Sequence, residues 1–190
     1  MSSVETPTSK INNVAIFCAS ASGANPVYAE AAAELACALV ERGVGIVYGG
    51  ANVGLMRIVA ESALAEGGCV VGVIPTVLVE AEVAHPGVTE LHITDGMHSR
   101  KAMIGQRSDA FIALPGGFGT FEELFEVLAW QTLKIHGKPV LLLNIHGFYD
   151  KLLEFLDHCV TEGMLKEKNR QIIHVANSVP ELLEMLGLSD

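Results

Sequence analysis

The chain has 190 residues, half of them apolar, with 12 basic against 22 acidic side chains and a formal net charge of −10. This length fits one domain, and an acidic chain without a concentrated basic face is unsuited to binding nucleic acid. No apolar run approaches the roughly 18 residues of a membrane-spanning helix, and residues 1–10 lack the apolar centre of a secretory signal. We therefore expect a cytoplasmic protein without nucleic-acid or membrane partners, with a disordered tail over residues 1–12 and one domain over residues 13–190.

The four cysteines occur singly within apolar runs of the sequence, as Cys18, Cys37, Cys69 and Cys159. No Cys-x-x-Cys pair and no His/Cys spacing typical of a metal site occurs in the chain. Free cysteine is among the most buried residue types, and cytoplasmic thiols stay reduced. The pattern predicts buried, reduced thiols, and it implies neither a metal nor a redox cofactor.

Strand-like and helix-like segments alternate along the chain. Strands are predicted over residues 13–18, 44–48, 69–74, 90–94, 110–114, 138–144 and 172–175. Helices are predicted over residues 26–41, 55–66, 148–162 and 178–186, the last with a capped start, and two more end near Arg107 and begin at Phe121. Repeated strand–helix units imply right-handed crossovers and parallel strands. The sequence therefore predicts an α/β domain with a central parallel sheet flanked by helices.

Residues 110–124 form the stretch around which the rest of the chain is organised. The apolar run ends at Pro115, which has no N–H for a sheet, and three of the next four residues are glycine. Glycine permits positive φ and lets a backbone approach a ligand closely. Thr120 is expected to be a helix N-cap, with Glu123 in capping-box position. Free N–H groups and the helix dipole would then meet at one point, which suits a phosphate.

Two further loops follow predicted strands, at the edge where open α/β sheets bind ligands. The first contains Ser20, and an ordinary turn remains an alternative for it. The second contains Gly49, Gly50 and Asn52. Neither loop has the Gly-x-Gly-x-x-Gly pattern of dinucleotide binding, and no P-loop pattern occurs in the chain.

Arg100 and Lys101 stand together after the strand predicted over residues 90–94, in a chain with 12 basic residues. A guanidinium can bind a phosphate or a carboxylate with two parallel hydrogen bonds. Such a pair on a helix is commonly a solvated surface feature, but its place at the ligand edge of the sheet favours binding. The segment over residues 76–89, which contains Glu82, is expected to form a short helix and a loop over the site.

Five motifs occur in order along the chain. They are Tyr48-Gly-Gly, Gly54-Leu-Met, Gly72-Val-Ile-Pro75, Met97-His-Ser-Arg-Lys101 and Pro115-Gly-Gly-Phe-Gly-Thr-Phe-Glu-Glu123. Together they resemble the LONELY GUY family of cytokinin-activating phosphoribohydrolases, long labelled possible lysine decarboxylases. The resemblance extends over nearly the whole chain, and the Pro-Gly-Gly-x-Gly-Thr-x-x-Glu motif paired with Arg-Lys is specific to this family and its close relatives.

The resemblance implies a modified Rossmann fold and hydrolysis of the N-glycosidic bond of adenosine 5′-monophosphates, including N6-modified ones. The products would be the free base, a cytokinin or adenine, and ribose 5-phosphate. By resemblance, Arg100 and Glu123 are the catalytic pair, and no cofactor takes part. The residues expected to bind substrate are Ser20, Gly49, Gly50, Asn52, Glu82, Lys101, Gly116, Gly117, Phe118, Gly119 and Thr120. One departure from the family is Ala19, where many members have glycine.

The residues themselves suit this chemistry. Cleavage of the C1′–N bond builds positive charge on the ribose, which the carboxylate of Glu123 can stabilise while it orients a water molecule. Arg100 has two open roles, donation to the departing base and binding of the phosphate. Two other functions compete: a non-catalytic nucleotide-binding module on the same fold, and an amino-acid decarboxylase. The decarboxylase would need a Schiff-base lysine and pyridoxal phosphate, whereas the few lysines lie mostly in charged contexts.

The helix from Phe121 also predicts a homodimer. The face expected to pack on the sheet consists of Phe121, Leu124, Phe125 and Leu128. The opposite face, expected to meet water in a monomer, consists of Glu123, Val127, Trp130 and Lys134. An exposed apolar patch commonly marks a contact surface, and tryptophan is favoured at interface centres. We therefore expect a homodimer with Trp130 near the interface, and the resemblance also implies a dimer, since family members of this length are typically dimers.

Overall fold

The computed structural model describes residues 10–80 and 84–189. Within them the strands are β1 (Asn13–Phe17), β2 (Gly45–Tyr48), β3 (Val70–Pro75), β4 (Glu90–Thr94), β5 (Ala110–Ala113), β6 (Val140–Leu143) and β7 (Ile173–Ala176). The α-helices are α1 (Val27–Glu41), α2 (Gly54–Ala65), α3 (Thr76–Glu80), α4 (Met97–Arg107), α5 (Phe118–Thr132), α6 (Asp150–Thr161), α7 (Glu167–Arg170) and α8 (Val179–Met185). Among these described helices, none combines the length and the apolar character needed to cross a membrane.

The strands form one sheet in the order β4-β3-β2-β1-β5-β6-β7, and all neighbouring strands are parallel. The predicted α/β domain with a central parallel sheet is therefore confirmed. Because β1 lies between β2 and β5, the chain winds away from the centre in both directions. The loops that leave β1 and β5 consequently open on a common crevice, the position at which sheets of this kind bind ligands.

Most of the sheet is covered on both faces because most of its strands are apolar, whereas β4 at one edge is largely exposed. Every residue of β2, β3, β5 and β6 is buried. On one face the core includes Leu35 of α1 and Leu182 of α8, and on the other it includes Ile104 of α4 and Leu124 of α5. Truncation of one such leucine to alanine costs about 2–5 kcal/mol of stability, so these two cores hold the ligand edge in place.

The disordered tail predicted over residues 1–12 extends too far toward the folded domain. Residues 1–9 lie outside the described part of the chain. Ile11, however, is 4% exposed and belongs to the core, and the Asn12 N–H donates a hydrogen bond to Asp109 Oδ2 at 2.8 Å. Both residues therefore belong to the folded domain.

The cysteines are all free thiols, but they are not all buried. Cys18, at the end of β1, is buried as predicted, and Cys37 and Cys159 are half-buried. Cys69 is exposed, so the prediction is wrong there. Cys69 lies in the connection between α2 and β3, before the strand enters the sheet, and a connection of this kind stays at the surface.

Helix α5 does not have the two faces predicted for it. Val127 is 3% exposed, whereas Phe125, expected on the sheet, is 40% exposed. Helix α4 covers the face expected to meet water, since a Cβ placed on Gly105 of α4 would lie 3.3 Å from the ring of Trp130. Trp130 is consequently half-buried within one chain. Leu124 lies in the core as predicted.

Candidate functional site

Three loops at the carboxyl edge of the sheet are bonded to one another. The Ala19 N–H, after β1, donates to Pro115 O, after β5, at 3.3 Å, and the Leu55 N–H, at the start of α2, donates to Ala19 O at 3.1 Å. A cleft of about 260 Å³ opens beside them. Candidates from the sequence that line this cleft are Ser20, Arg100, Gly117, Phe118, Gly119, Thr120 and Glu123.

Helix α5 begins at the cleft, three residues earlier than predicted. Its N-cap is Gly117, which has no side chain, and its first turn closes with a bond from the Phe121 N–H to Gly117 O at 3.0 Å. Thr120 is therefore a buried residue of the first turn, and the predicted capping box with Glu123 is wrong. The N–H groups of residues 118–120 precede the first closed turn, so they and the helix dipole are available to an anion in the cleft.

Crowding explains the glycine at position 116. A Cβ on Gly116 would overlap the side chain of Thr120. Gly117 and Gly119 have open space where a Cβ would lie, and both line the cleft. None of these three glycines has the positive φ that the sequence led us to expect. A side chain at 117 or 119 would instead occupy space beside the cleft.

Arg100 is fixed by three parts of the fold. It lies in the first turn of α4 and is 7% exposed. Its Nε donates to Val73 O of β3 at 2.9 Å, and its Nη1 donates to Glu123 Oε1 of α5 at 2.7 Å. A Cβ on Gly49, after β2, would collide with Nη2 and lie 3.1 Å from the sulfur of Met56. Glycine at position 49 therefore leaves the room that the guanidinium occupies.

Glu123 is a largely buried carboxyl group paired with a guanidinium. Its side chain is 12% exposed. Burial raises the pKa of Glu123, the charge and hydrogen bond of Arg100 lower it, and the result lies above the ordinary value. Burial, followed by the charge of Glu123, also raises the pKa of the Cys18 thiol, which therefore stays neutral beside the cleft. A carboxylate held in this way, with a perturbed pKa in a cleft, suits stabilisation of a cation or activation of water.

Lys101 makes different contacts from its neighbour Arg100. Its ammonium contacts Glu122 Oε1, and it lies 2.9 Å from Glu126 Oε1. Its side chain is 9% exposed and is not among those that line the cleft within the described residues. Burial lowers the pKa of Lys101, but hydrogen bonds to both carboxylates outweigh it and leave the pKa above the ordinary value. Lys101 is therefore a charged, fully engaged ammonium between α4 and α5.

The other candidates lie at varying distances from this centre. Ser20 is exposed at the cleft mouth, and Phe118 is 94% exposed beside it. Gly50 has a φ of 75° and packs against β3, where a Cβ would lie 3.1 Å from that of Ile74. Asn52 is half-buried, and its Oδ1 has no hydrogen-bond partner among the described residues. Glu82 lies outside the described residues.

Sequence reasoning missed Ala19 and Glu122, which line the cleft, and it missed four further lining residues with larger uncharged side chains: Cys18, Met56, Leu78 and Met97. Their apolar or thiol side chains carry no chemical motif, so nothing in their type marks them as functional. Two of them could have been found, since Met56 and Met97 belong to motifs that the sequence shares with a known family. Each also lies in the first turns of a helix that starts at the ligand edge.

The fold and the site together define a class of protein: a Rossmann-type parallel sheet with an open helix start, of a kind suited to an anion, and a largely buried Arg–Glu pair at its carboxyl edge. A family model described as "Possible lysine decarboxylase" matches residues 56–186. The chain is 46% identical over 183 residues to the cytokinin riboside 5′-monophosphate phosphoribohydrolase LOG2 of Arabidopsis thaliana, covering 96% of this chain and 86% of that relative. It is 47% identical over 175 residues to LOG of Oryza sativa subsp. japonica, which has the same enzyme name, covering 92% and 72% respectively. The chain therefore belongs to the LONELY GUY family, as its motifs indicated.

Solved structures of other proteins share the fold. The molybdenum cofactor binding protein from Rippkaea orientalis matches with a TM-score of 0.70 at 21% identity, over 95% of this chain and 98% of that one. The molybdenum cofactor carrier protein MCP from Chlamydomonas reinhardtii matches with a TM-score of 0.70 at 19% identity, over 94% and 97%. At these identities the likeness shows the fold alone.

Proposed function

We propose that this protein hydrolyses the N-glycosidic bond of cytokinin riboside 5′-monophosphates and of AMP, releasing the free base and ribose 5-phosphate. The observation that carries the proposal is the buried pair of Arg100 and Glu123, 2.7 Å apart, directly beside the open start of α5. Relatives that are 46–47% identical over most of the chain have the name of this activity. We place the activity in the cytoplasm, because the cysteines occur singly along the chain, a pattern that fits a reducing compartment better than a set of disulfides.

In this proposal the 5′-phosphate binds at the N–H groups of residues 118–120, where the helix dipole favours an anion. The ribose then lies in the cleft with C1′ near Glu123. As the C1′–N bond breaks, its electron pair leaves with the base, and the carboxylate stabilises the cationic ribose and orients the attacking water. Water supplies the hydroxyl group at C1′ and the proton that the base acquires. Arg100 holds the Glu123 carboxylate in place.

Base recognition is assigned to the apolar side chains at the cleft mouth. Phe118 projects from between two glycines and is 94% exposed, although it lines the cleft. Leu78 and Met97 line the same cleft. An aromatic ring is a stacking surface for any base, worth about 1–3 kcal/mol in single-strand binding proteins. Such a surface suits a purine with an apolar N6 substituent.

The competing functions fit the site less well. A non-catalytic nucleotide-binding module has no need of a buried carboxylate–guanidinium pair at the cleft, since that pair is not required to bind a phosphate. A decarboxylase needs a lysine that is free to form a Schiff base. The buried lysine near the site, Lys101, is engaged with Glu122 and Glu126 instead.

We also propose that two copies of the chain associate through the outer side of α4 and the end of α5. A hollow of about 290 Å³ there is lined by Gln106, Trp130 and Ile135, among others. Ile135 is 64% exposed, and the adjacent Leu133 is 69% exposed. Apolar surface of this kind at the edge of a half-buried tryptophan suits a protein contact, and Trp130 lies two turns, about 10 Å along α5, from Glu123.

The experiment that tests the activity is incubation of the purified protein with AMP, N6-isopentenyl-AMP and adenosine, followed by chromatography for the free base. Release of base from both nucleotides and little from adenosine is expected. Binding of the nucleotides without release of base would refute the proposal and favour the non-catalytic module. Release of carbon dioxide from lysine would instead favour the decarboxylase.

A further inference from the structure

The charged contacts between α4 and α5 form two neighbouring sets. Arg100 pairs with Glu123 at the cleft, and the next residue, Lys101, pairs with Glu122 and Glu126. We infer that Lys101 is a positioning residue, whose ammonium holds α5 against α4 so that the Glu123 carboxylate meets the guanidinium of Arg100. The inference rests on the proposed function, in which that carboxylate acts on the substrate.

Lys101 holds a full turn of α5. Glu122 and Glu126 are four residues apart and therefore lie on one side of the helix, so a single ammonium bridges both ends of that turn. The Lys101 side chain is 9% exposed and that of Glu126 is 22% exposed, whereas that of Glu122 is 51% exposed, so the Lys101–Glu126 contact is the sheltered one. Charged contacts sheltered from water in this way are stronger than surface pairs. Because Glu123 lies within the bridged turn, any shift of that turn also moves its carboxylate.

The same contacts argue against Lys101 as a ligand of the substrate phosphate. A phosphate bound at this ammonium would lie next to the two carboxylates that already bind it, and like charges at that distance repel. The cleft wall beside Arg100 includes Glu122 but not Lys101. In the proposed function the phosphate binds instead at the N–H groups at the start of α5.

Lys101 also acts on Glu123 through its charge. Burial raises the pKa of Glu123, Arg100 lowers it, Glu122 raises it and Lys101 lowers it. From β1, the Cys18 thiol also faces this carboxylate. Removal of the Lys101 ammonium should therefore raise the pKa of Glu123. The acid limb of the pH–rate profile, where the carboxylate becomes protonated, should then move to higher pH.

The first test compares Lys101→Met and Lys101→Arg with wild type, using Lys151→Met as a matched control. Lys151 also pairs with a glutamate, Glu154, but on the exposed face of α6. In Lys101→Met we expect kcat for N6-isopentenyl-AMP to fall about tenfold or more, with KM and the calorimetric Kd for ribose 5-phosphate within about twofold of wild type. Lys101→Arg should restore most of kcat. A rise in KM or Kd of about tenfold with kcat unchanged would show a phosphate ligand and overturn the inference.

Glu126→Gln is a second variant, for the case that Lys101→Met does not fold. It removes one of the two anchors of Lys101 without touching the cleft. A positioning role predicts a lower kcat with an unchanged Kd for ribose 5-phosphate. If Lys101 binds phosphate, partial release of its ammonium should tighten that binding instead, which would contradict the inference.

A further measurement does not depend on activity. Carbon NMR of labelled glutamate side chains, assigned through Glu123→Gln, follows the titration of Glu123 in wild type and in Glu126→Gln or Lys101→Met. The pKa of Glu123 should rise in Lys101→Met, and an unchanged pKa would refute the inference. If wild type titrates as expected but releases no base from any nucleotide, the proposed function fails while the positioning of Glu123 by Lys101 still stands.

Discussion

Replacement of Glu123 by glutamine and by alanine separates its chemical role from its role in stability. Glu123 Oε1 accepts a hydrogen bond from Arg100 at 2.7 Å, and the two side chains are 12% and 8% exposed. Glutamine keeps an oxygen for this bond but removes the charge. Alanine leaves the guanidinium without its carboxylate, although the bond from its Nε to Val73 O remains.

The two variants should lose activity alike and stability unequally. Loss of one group that stabilises charge in the transition state lowers kcat by about two orders of magnitude or more, which we expect for both. Breaking a buried ion pair by removing one partner costs about 3 kcal/mol or more, which we expect for Glu123→Ala. For Glu123→Gln we expect a loss of about 1 kcal/mol in the free energy of unfolding, the net contribution of one ordinary hydrogen bond.

The assays are chromatography of the released base and urea unfolding of each variant. Glu154→Gln, which alters an exposed glutamate paired with Lys151, is the control for loss of one acidic charge. In the proposed mechanism the ionised form of Glu123 is the active one, and burial raises the pKa of Glu123. The acid limb of the wild-type pH–rate profile should therefore lie at higher pH than an ordinary glutamate would give. This limb should disappear from the residual activity of Glu123→Gln. Near-normal turnover of Glu123→Gln, combined with a large loss of stability in Glu123→Ala, would show that the carboxylate is structural and refute the mechanism.

Three further predictions follow from other parts of the site. The kcat/KM for adenosine should be at least about a hundredfold below that for AMP, because binding energy from the phosphate orients the ribose, and equal values would contradict a phosphate site at the start of α5. Gly49→Ala should lower kcat about tenfold or more by displacing the guanidinium of Arg100, whereas Gly137→Ala is the control, since nothing lies within 4 Å of its Cβ position and its φ is not positive. Trp130→Asp should weaken both assembly and activity, and sedimentation of a fully active wild-type monomer at micromolar concentration would refute the proposed dimer.

The fold could be predicted because it depends on local patterns that are strong in this chain. Strands β2, β3, β5 and β6 are short apolar runs close to a glycine or a proline, and a strand buried on both faces needs little more. Boundaries moved by one to three residues, as expected where hydrogen bonding rather than composition ends an element. The position of the candidate site also followed from local pattern, since its two glycine-rich turns come after β2 and β5.

One local pattern occurs twice with different outcomes. Ser178 and Glu181 have the Ser/Thr-x-x-Glu spacing, and Ser178 caps α8 by accepting a hydrogen bond from the Glu181 N–H at 3.3 Å. Thr120 and Glu123 have the same spacing, but α5 starts at Phe118, so Thr120 is already inside the helix. Glu123 turns to an arginine 23 positions away in the chain instead. A capping rule considers only neighbours in sequence. The stabilisation that Glu123 gains from pairing with a buried guanidinium exceeds that of a helix cap, which is about 1 kcal/mol.

The burial of Val127 could not be predicted for a related reason. Helical periodicity places residues on faces, but it does not tell which neighbouring element covers a face. In this fold the sheet and α4 both pack on α5, so two of its sides are covered, and Phe125 is left at the surface. Only the strand order, which places β5 beside β1 with α4 nearby, decides this.

The pairs Arg100-Lys101 and Glu122-Glu123 illustrate how far sequence proximity can mislead about a site. Consecutive residues on a helix leave it in directions about 100° apart, and the two adjacent cations on α4 indeed have different partners. Arg100 reaches toward the cleft and meets Glu123, while Lys101 reaches along the flank of α5 and meets Glu122 and Glu126. Consecutive residues on α5 are rotated in the same way. Arg100 therefore pairs with Glu123 at the candidate site, and Lys101 pairs with Glu122 beside it. In the proposed mechanism, the Arg-Lys motif therefore combines one group that acts at the site with one that holds the neighbouring helix, and helix geometry decides which residue has which role.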